Sequence, residues 1–364
     1  MLDDSAAPAP DARGPAAPGP AGFGTDVPGL DLDRFRAFFD AARPGAVTGP
    51  LRARVVAGGR SNLTYEVTDG AARWIVRRPP LGHVLATAHD MSREHRVMSA
   101  LAGGGVPVPE TYALCADPDV IGAPFYVMEK VEGTPYRDAA ELAPLGPERT
   151  AAVGERMVDT LAALHRVDPD EAGLAGFGRP DGFLERQVRR WKKQLDASRS
   201  RDLPDADALH ARLAANVPAR SPAAVVHGDY RLDNLLVDAD DRVAAVLDWE
   251  MATLGDPLTD LALLLVYMRR PAPEPGRGDA MRAPGFPSPD DVAARYAERS
   301  GRDLAALGFY VGLACFKLAV ISEGIHYRYL RGQTVGEGFE AIGAAVEPLL
   351  KSGLEALEEL GEKQ

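Results

Sequence analysis

Between Ala223 and Asp248, three short apolar runs are broken by one polar octet and one acidic turn, and this arrangement constrains the chain more than any other stretch. The runs are Ala223–Val226, Leu235–Val237 and Val243–Leu247. Each is too short for a helix and rich in Val or Leu, so each reads as a buried strand. Asp238-Ala239-Asp240-Asp241 has turn composition and joins the last two runs. The octet HGDYRLDN, residues 227–234, has apolar flanks on both sides, unlike an ordinary solvated loop. A hairpin formed by the second and third runs returns Asp248 to the neighbourhood of Asn234.

That placement matters chemically. Phosphoryl transfer to a hydroxyl needs a carboxylate that orients and deprotonates the attacking oxygen, and it needs hard oxygen ligands for magnesium. Asp229 and Asn234 share one loop with four residues between them, and Asp248 ends the next strand. The set offers one base, Asp229, and two Mg²⁺ ligands, Asn234 and Asp248. Arg231 is placed to offset charge on the transferring group. His227 is expected to brace the loop through a backbone hydrogen bond.

HGDYRLDN and the following LDWE resemble the catalytic loop and metal-binding segment of the aminoglycoside phosphotransferase and choline kinase family. The resemblance runs from about residue 30 to near the end. It implies an α+β, protein-kinase-like fold with a small β-rich N-lobe, residues 29–131, and a larger helical C-lobe, residues 132–364. It also implies ATP as phosphoryl donor, with GTP left open. VAGGRSN, residues 56–62, lies where the family has its phosphate loop, which assigns Gly59, Arg60, Ser61 and Asn62 to the nucleotide; a glycine-rich turn lets main-chain amides approach phosphate oxygens. FYVMEKVEG resembles the strand entering the interlobe hinge, with adenine hydrogen-bonded to main chain near Glu129 and Val131. REHRVMSAL resembles the helix whose glutamate, here Glu94, pairs with a basic residue of the third strand. The family often has lysine there, whereas WIVRRPP offers Arg77 or Arg78. An arginine neutralises phosphate through a planar fork, not a point charge. Arg77 is the choice, with Arg78 the alternative in register.

Other segments, among them FLERQVRRWKKQLDAS and VPVPETYALCADPDVIGAPFYVMEKVEG, resemble the branch of phosphotransferase-like domains linked to acyl-CoA dehydrogenases. That branch implies a hydroxylated acyl substrate, such as a hydroxyacyl-CoA metabolite, in place of an antibiotic. An aminoglycoside kinase is the competing enzyme reading, and a pseudokinase or nucleotide-binding module is the alternative of another class. Along FKLAVISEGIHYRYLRGQ, Lys317, Ile321, Gly324 and Arg328 share one helical stripe. The stripe reads either as a solvated basic edge or as a wall of the acceptor cleft, with Lys317 and Arg328 touching substrate. Asp256 and Asp260 read as structural, fixing a helix start and holding the catalytic loop. His165 reads as a satisfied core histidine.

Bulk properties narrow the remainder. The chain has 364 residues, 46% of them hydrophobic, with a net charge of -12 and pI near 5.1. A surface this acidic repels phosphate backbones and anionic lipid, which argues against nucleic-acid and membrane partners and leaves a small hydroxylated molecule. Cys115 and Cys315 are two isolated thiols in apolar surroundings, not a disulfide framework. The Pro/Ala/Gly-rich start lacks the basic end and apolar stretch of a signal peptide, and the longest apolar run, Leu261–Met268, is too short to span a membrane. A cytoplasmic location is expected. Residues 1–28 are expected to be a disordered tail. Arg269–Pro289, crowded with Pro, Gly and charge, is expected to be a long surface loop.

Overall fold

The computed structural model describes residues 22–56, 62–81, 90–218, 223–270, 278–334 and 338–361. The chain divides into two compact units, one within residues 1–89 and 112–128, the other within 90–111 and 129–364.

The first unit is a sheet covered by one helix. Helix α1 (Leu32–Ala42) starts where the Asp31 carboxylate accepts from the Asp33 and Arg34 amides at 3.1 and 3.0 Å. Its spacing puts Leu32, Phe35 and Phe39 on one buried face. The sheet has strand order β1-β2-β3-β5-β4, comprising β1 (Arg52–Val55), β2 (Leu63–Thr68), β3 (Arg73–Arg78), β4 (Thr111–Cys115) and β5 (Phe125–Glu129). Alternation along β2 and β3 turns Tyr65, Val67, Trp74 and Val76 into the core that holds Phe35 and Phe39. Phe39 meets the Trp74 ring edge-on at 5.5 Å. The same alternation separates Arg77 from Arg78. Arg78 is buried, and its guanidinium donates to the carbonyls of Gly29 (2.6 Å), Ile121 (2.8 Å) and Pro79 (3.1 Å). Arg77, opposite Thr64 in the register, is half-buried on the other face.

One knot closes the hairpin between β2 and β3. The Asp69 carboxylate accepts from the Thr48 amide and hydroxyl, the Gly49 amide, and the amides of Ala71 and Ala72. Burial opposes its charge, but these donors hold its carboxyl well below the usual range.

The expected tail is corrected at its far end. Gly24 pairs with Ala53 in both directions at 2.9 and 2.8 Å, Val27 and Leu30 are buried, and the Tyr65 hydroxyl donates to Pro28 O at 2.8 Å. The physical reason is the edge strand β1, whose unpaired main-chain groups take up residue 24. Residues 1–21 lie outside the described residues.

The second unit is mainly helical. Helix α2 (Met91–Leu101), expected in the small lobe, groups here instead. Arg93 donates to Ala252 O at 2.9 Å and lies 4.0 Å over the Phe177 ring, and Arg96 donates to Gly173 O and Ala175 O. Helices α3 (Ala139–Leu142), α4 (Gly146–Leu164), α5 (Phe183–Ser198) and α6 (Pro204–Ala215) precede two small sheets. Strand β6 (Ala224–Val226) pairs antiparallel with β9 (Thr253–Gly255), and β7 (Leu235–Val237) pairs antiparallel with β8 (Val243–Val246). Helices α7 (Leu258–Arg269), α8 (Pro289–Ser300), α9 (Leu307–Leu330) and α10 (Val346–Gly361) follow.

Helix α9 changes one expectation. Its 24 residues are long and apolar enough to cross a membrane by length and composition. Most of the helix is buried inside the protein, against α5, α6, α7 and α10, as a core helix is. The expected surface loop is also more committed than its composition suggests. Residues 278–288 include buried Ala280 and Ala283, and Asp279 accepts from the Ala139 amide at 2.8 Å. Residues 271–277 lie outside the described residues.

Candidate active site

The octet leaves β6 and enters β7, so the first small sheet fixes its start and the second its end. The register Leu235↔Val246 and a 2.8 Å bond from the Leu247 amide to Asn234 O set Asp248 next to Asn234. Asp248 itself has φ 66°, a left-handed conformation that few non-glycine residues adopt and that Asp tolerates better than most.

The main chain of the loop hangs on α7. The Asp260 carboxylate accepts from the His227 amide at 2.7 Å and the Gly228 amide at 2.8 Å. Its Oδ2 also meets His165 Nε2 at 3.2 Å, and His165 Nδ1 meets the Tyr296 hydroxyl at 2.7 Å. Burial works against the Asp260 charge, but the His165 hydrogen bond and the neighbouring imidazoles hold its carboxyl below the usual range. Gly228 has φ 86°, and a Cβ there would lie 2.8 Å from Met251 Cβ and O, so only glycine fits. His227 is fully buried; its Nε2 donates to Leu247 O at 2.8 Å, and its Nδ1 accepts from the Asp229 amide at 3.2 Å. This ring braces the loop.

Above that frame sits the carboxylate of Asp229. Its Oδ1 accepts from the Tyr267 hydroxyl at 2.7 Å, whereas its Oδ2 lies 3.4 Å from Asn234 Nδ2 and 3.9 Å from Arg231 Nε. Asn234 Nδ2 donates to Asp229 O at 2.9 Å, which leaves the Oδ1 end of the same amide turned away. Arg231 pairs with Asp233 at 2.5 Å and lies 5.5 Å over the Tyr267 ring. Burial opposes its charge, but Asp233 and Asp229 hold the guanidinium firmly protonated.

Lys317 is where the sequence reading needs correction. It is no surface residue of a basic stripe: its ammonium donates to Gly228 O at 2.9 Å and lies 5.9 Å from the Trp191 ring centroid. Burial pulls its pKa below the usual lysine value, with the charges of Asp229 and Asp260 opposing. Arg328 does not join it. Eleven residues further along α9, about 16 Å at 1.5 Å per residue, it is exposed in the last turn. The stripe therefore splits into a loop anchor and a surface cation.

Gly59, Arg60 and Ser61 lie outside the described residues; Asn62 is buried just before β2. Glu94 is buried in the first turn of α2. The Glu129 amide is occupied by Glu110 O at 2.8 Å, and Val131 O accepts from Lys130 Nζ at 3.2 Å. Among the described residues no group of three or more His, Cys, Asp or Glu can hold a metal. A magnesium ion held by Asn234 and Asp248 would thus have two protein oxygens, which suits a hard cation that keeps water and phosphate ligands.

Sequence reasoning missed Tyr267. It sits in an uninterrupted apolar run, and the one signal that marks it is its spacing of seven residues from Asp260, which returns it to the same face of α7.

Comparison with known proteins supports the same assignment. The family profile described as Phosphotransferase enzyme family matches residues 52–300. Acyl-CoA dehydrogenase family member 11 of Gallus gallus is 37% identical over 321 residues, covering 86% of this chain and 41% of that protein. The chain thus spans about two-fifths of the length of this curated relative. The crystal structure of a candidate aminoglycoside phosphotransferase from Ralstonia eutropha matches with a TM-score of 0.80 and 32% identity over 93% of this chain and 99% of that one. A thermostable mutant of aminoglycoside phosphotransferase APH(4)-Ia, in ternary complex with AMP-PNP and hygromycin B, shares the fold at a TM-score of 0.57 and 15% identity, over 87% of this chain and 97% of that one. A helical unit carrying HGDYRLDN between two small sheets, and a family match over most of the residues, lead to one conclusion: the chain belongs to the phosphotransferase enzyme family, with a protein-kinase-like fold.

Proposed function

We propose that this enzyme is an ATP- and Mg²⁺-dependent kinase that transfers the γ-phosphoryl group to a hydroxyl of a small acyl metabolite, a hydroxyacyl-CoA thioester being the acceptor of choice. The observation that carries the reading is the Asp229 carboxylate, held tightly on one oxygen by Tyr267 at 2.7 Å and met on the other by Asn234 Nδ2 only at 3.4 Å. In the reaction, the acceptor O–H proton passes to Asp229, the acceptor oxygen bonds to the γ-phosphorus, and the bond to the leaving ADP oxygen breaks. Arg231, near the same carboxylate, offsets charge on the moving group. Asn234 and Asp248 would hold Mg²⁺, which supplies charge neutralisation at the phosphates when bound. Nucleotide roles for Gly59, Arg60, Ser61, Asn62, Arg77, Glu94, Glu129 and Val131 rest on the family resemblance. For the basic residue of the third strand, the engagement of Arg78 with three carbonyls favours Arg77.

The acyl acceptor is favoured by the similarity to acyl-CoA dehydrogenase family member 11. The antibiotic reading is favoured by the similarity to the Ralstonia eutropha protein and to viomycin phosphotransferase of Streptomyces vinaceus, 26% identical over 248 residues. An ADP-release screen with hydroxyacyl-CoA thioesters and aminoglycosides side by side decides between them. Turnover with the thioesters is expected; turnover with aminoglycosides alone would replace the acyl reading. Asp229→Asn should cut kcat by about two to four orders of magnitude while MgATP binding survives. Near-normal kcat in that variant removes Asp229 from the base role.

A further inference from the structure

Helix α7 touches the catalytic loop twice, and only one of the two contacts concerns the frame. Asp260 receives the loop amides; Tyr267, seven residues later on the same face, reaches past them to the reactive side chain. A lone carboxylate on a short side chain has two torsions to settle, and its two oxygens are equivalent until something distinguishes them. Here they are distinguished. Oδ1 takes a 2.7 Å bond from the phenol, while among the described residues Oδ2 has the longer contacts, Asn234 Nδ2 at 3.4 Å and Arg231 Nε at 3.9 Å. The Asn234 amide gives its shorter bond, 2.9 Å, to the Asp229 carbonyl.

We propose that Tyr267 is the positioning residue of the reaction: its hydroxyl locks Asp229 Oδ1, so that Oδ2 is the oxygen that receives the acceptor's proton. This rests on the reading of Asp229 as the base. The phenol is suited to the task because it sits on a helix whose other faces are buried, so the donor does not move with the loop. Burial, then the Asp229 charge, push its pKa well above the usual value, so it remains a donor throughout the neutral range. Without it, the Arg231 guanidinium, already within 4 Å of Asp229, is free to draw the carboxylate in. The carboxylate then swings to a bidentate pair with that guanidinium and leaves the acceptor side. Arg231 also lies over the Tyr267 ring, 5.5 Å from its centroid, so the phenol touches both members of the pair in the resting site.

The test is Tyr267→Phe, which removes one oxygen and keeps the ring. Single-turnover consumption of γ-labelled MgATP with water as the acceptor reads the step without a known substrate. A loss of one hydrogen bond to a charged group corresponds to a kcat lowered about tenfold or more. KM for MgATP and the nucleotide Kd are expected to stay within about twofold, since Tyr267 touches neither. In an Asp229→Asn background the same substitution should cost nothing further, because its effect passes through that carboxylate. Wild-type kcat in Tyr267→Phe overturns the proposal, as does an equal loss in the Asp229→Asn background. So does a raised kcat, which would make the phenol a competitor for the acceptor's place. A fully active Asp229→Asn single variant sinks the base reading instead, and separates the two failures. If Tyr267→Phe lowers the melting temperature, 3-fluorotyrosine at position 267 decides: it keeps the donor, so retained kcat supports the proposal and a tenfold loss refutes it.

Discussion

Replacing Asp260 with Asn tests whether one buried carboxylate holds the HGDYRLDN loop. Three donors converge on its two oxygens: the His227 amide at 2.7 Å, the Gly228 amide at 2.8 Å and His165 Nε2 at 3.2 Å. An asparagine brings one oxygen and one NH₂ group, so at least one loop amide must then face another donor. Leaving a buried donor unsatisfied costs about 1–3 kcal/mol, and losing the charge on the bonds that survive adds about 1–2 kcal/mol. The sum, about 2–5 kcal/mol, is less than the stability of a typical domain, about 5–15 kcal/mol, so the chain folds while the loop opens. Hydrogen exchange read by mass spectrometry on peptides covering residues 224–234 reports this directly. The His227 and Gly228 amides are expected to exchange at least about thirtyfold faster, with β2 and β3 unchanged and kcat reduced at least about tenfold. Unchanged protection of those two amides together with intact turnover would refute the anchoring argument.

Three further outcomes follow from the same geometry. Asn234→Ala and Asp248→Ala should each raise the Mg²⁺ concentration for half-maximal ADP release by about tenfold or more, measured by metal titration at fixed ATP; a metal dependence identical to the parent removes them as ligands. Lys317→Met should lower kcat by about tenfold through loss of its bond to Gly228 O, while Arg328→Glu leaves kcat alone, so equal losses in the two variants contradict the split of the stripe. Asp69→Ala should cost about 2–3 kcal/mol at pH 7 in urea titrations. Its folded-state carboxyl lies below the unfolded value of about 3.9, so this stabilisation is complete above about pH 4 and fades as the pH falls further; a variant deficit that grows on acidification has the wrong sign.

The parts of the fold legible in the sequence were those where one physical signal dominated. The strands around the octet stand out because short apolar runs meet a polar loop, and α1 stands out because Asp31 precedes a clean three-to-four spacing. Strands β4 and β9 gave no such signal; five and three residues long, they are defined by their partners and not by their own composition. Tyr267 was hidden for a related reason. Helix α7 is buried nearly all round, so periodicity does not separate the face toward the loop from the face toward the core. Lys317 misled because a lysine on a helix is usually a solvated edge; only the packing of Trp191 and the loop carbonyl shows that its stem is enclosed. The ordering of residues 22–30 depended on the edge of β1, which no local composition announces.

The way the octet is fastened bears on how this enzyme can diversify. Asp260, His165 and Lys317 grip the loop from α7, the end of α4 and the middle of α9; Asp260 and His165 are buried and Lys317 is half-buried. Drift at exposed positions therefore leaves these anchors of the octet in place, and this insulation is a form of robustness. The last turn of α9 is under no such restraint: Arg328, Tyr329 and Leu330 are exposed on the same helix that carries Lys317. One helix thus joins a segment that can vary freely to a segment that must be held constant for the loop to keep its shape.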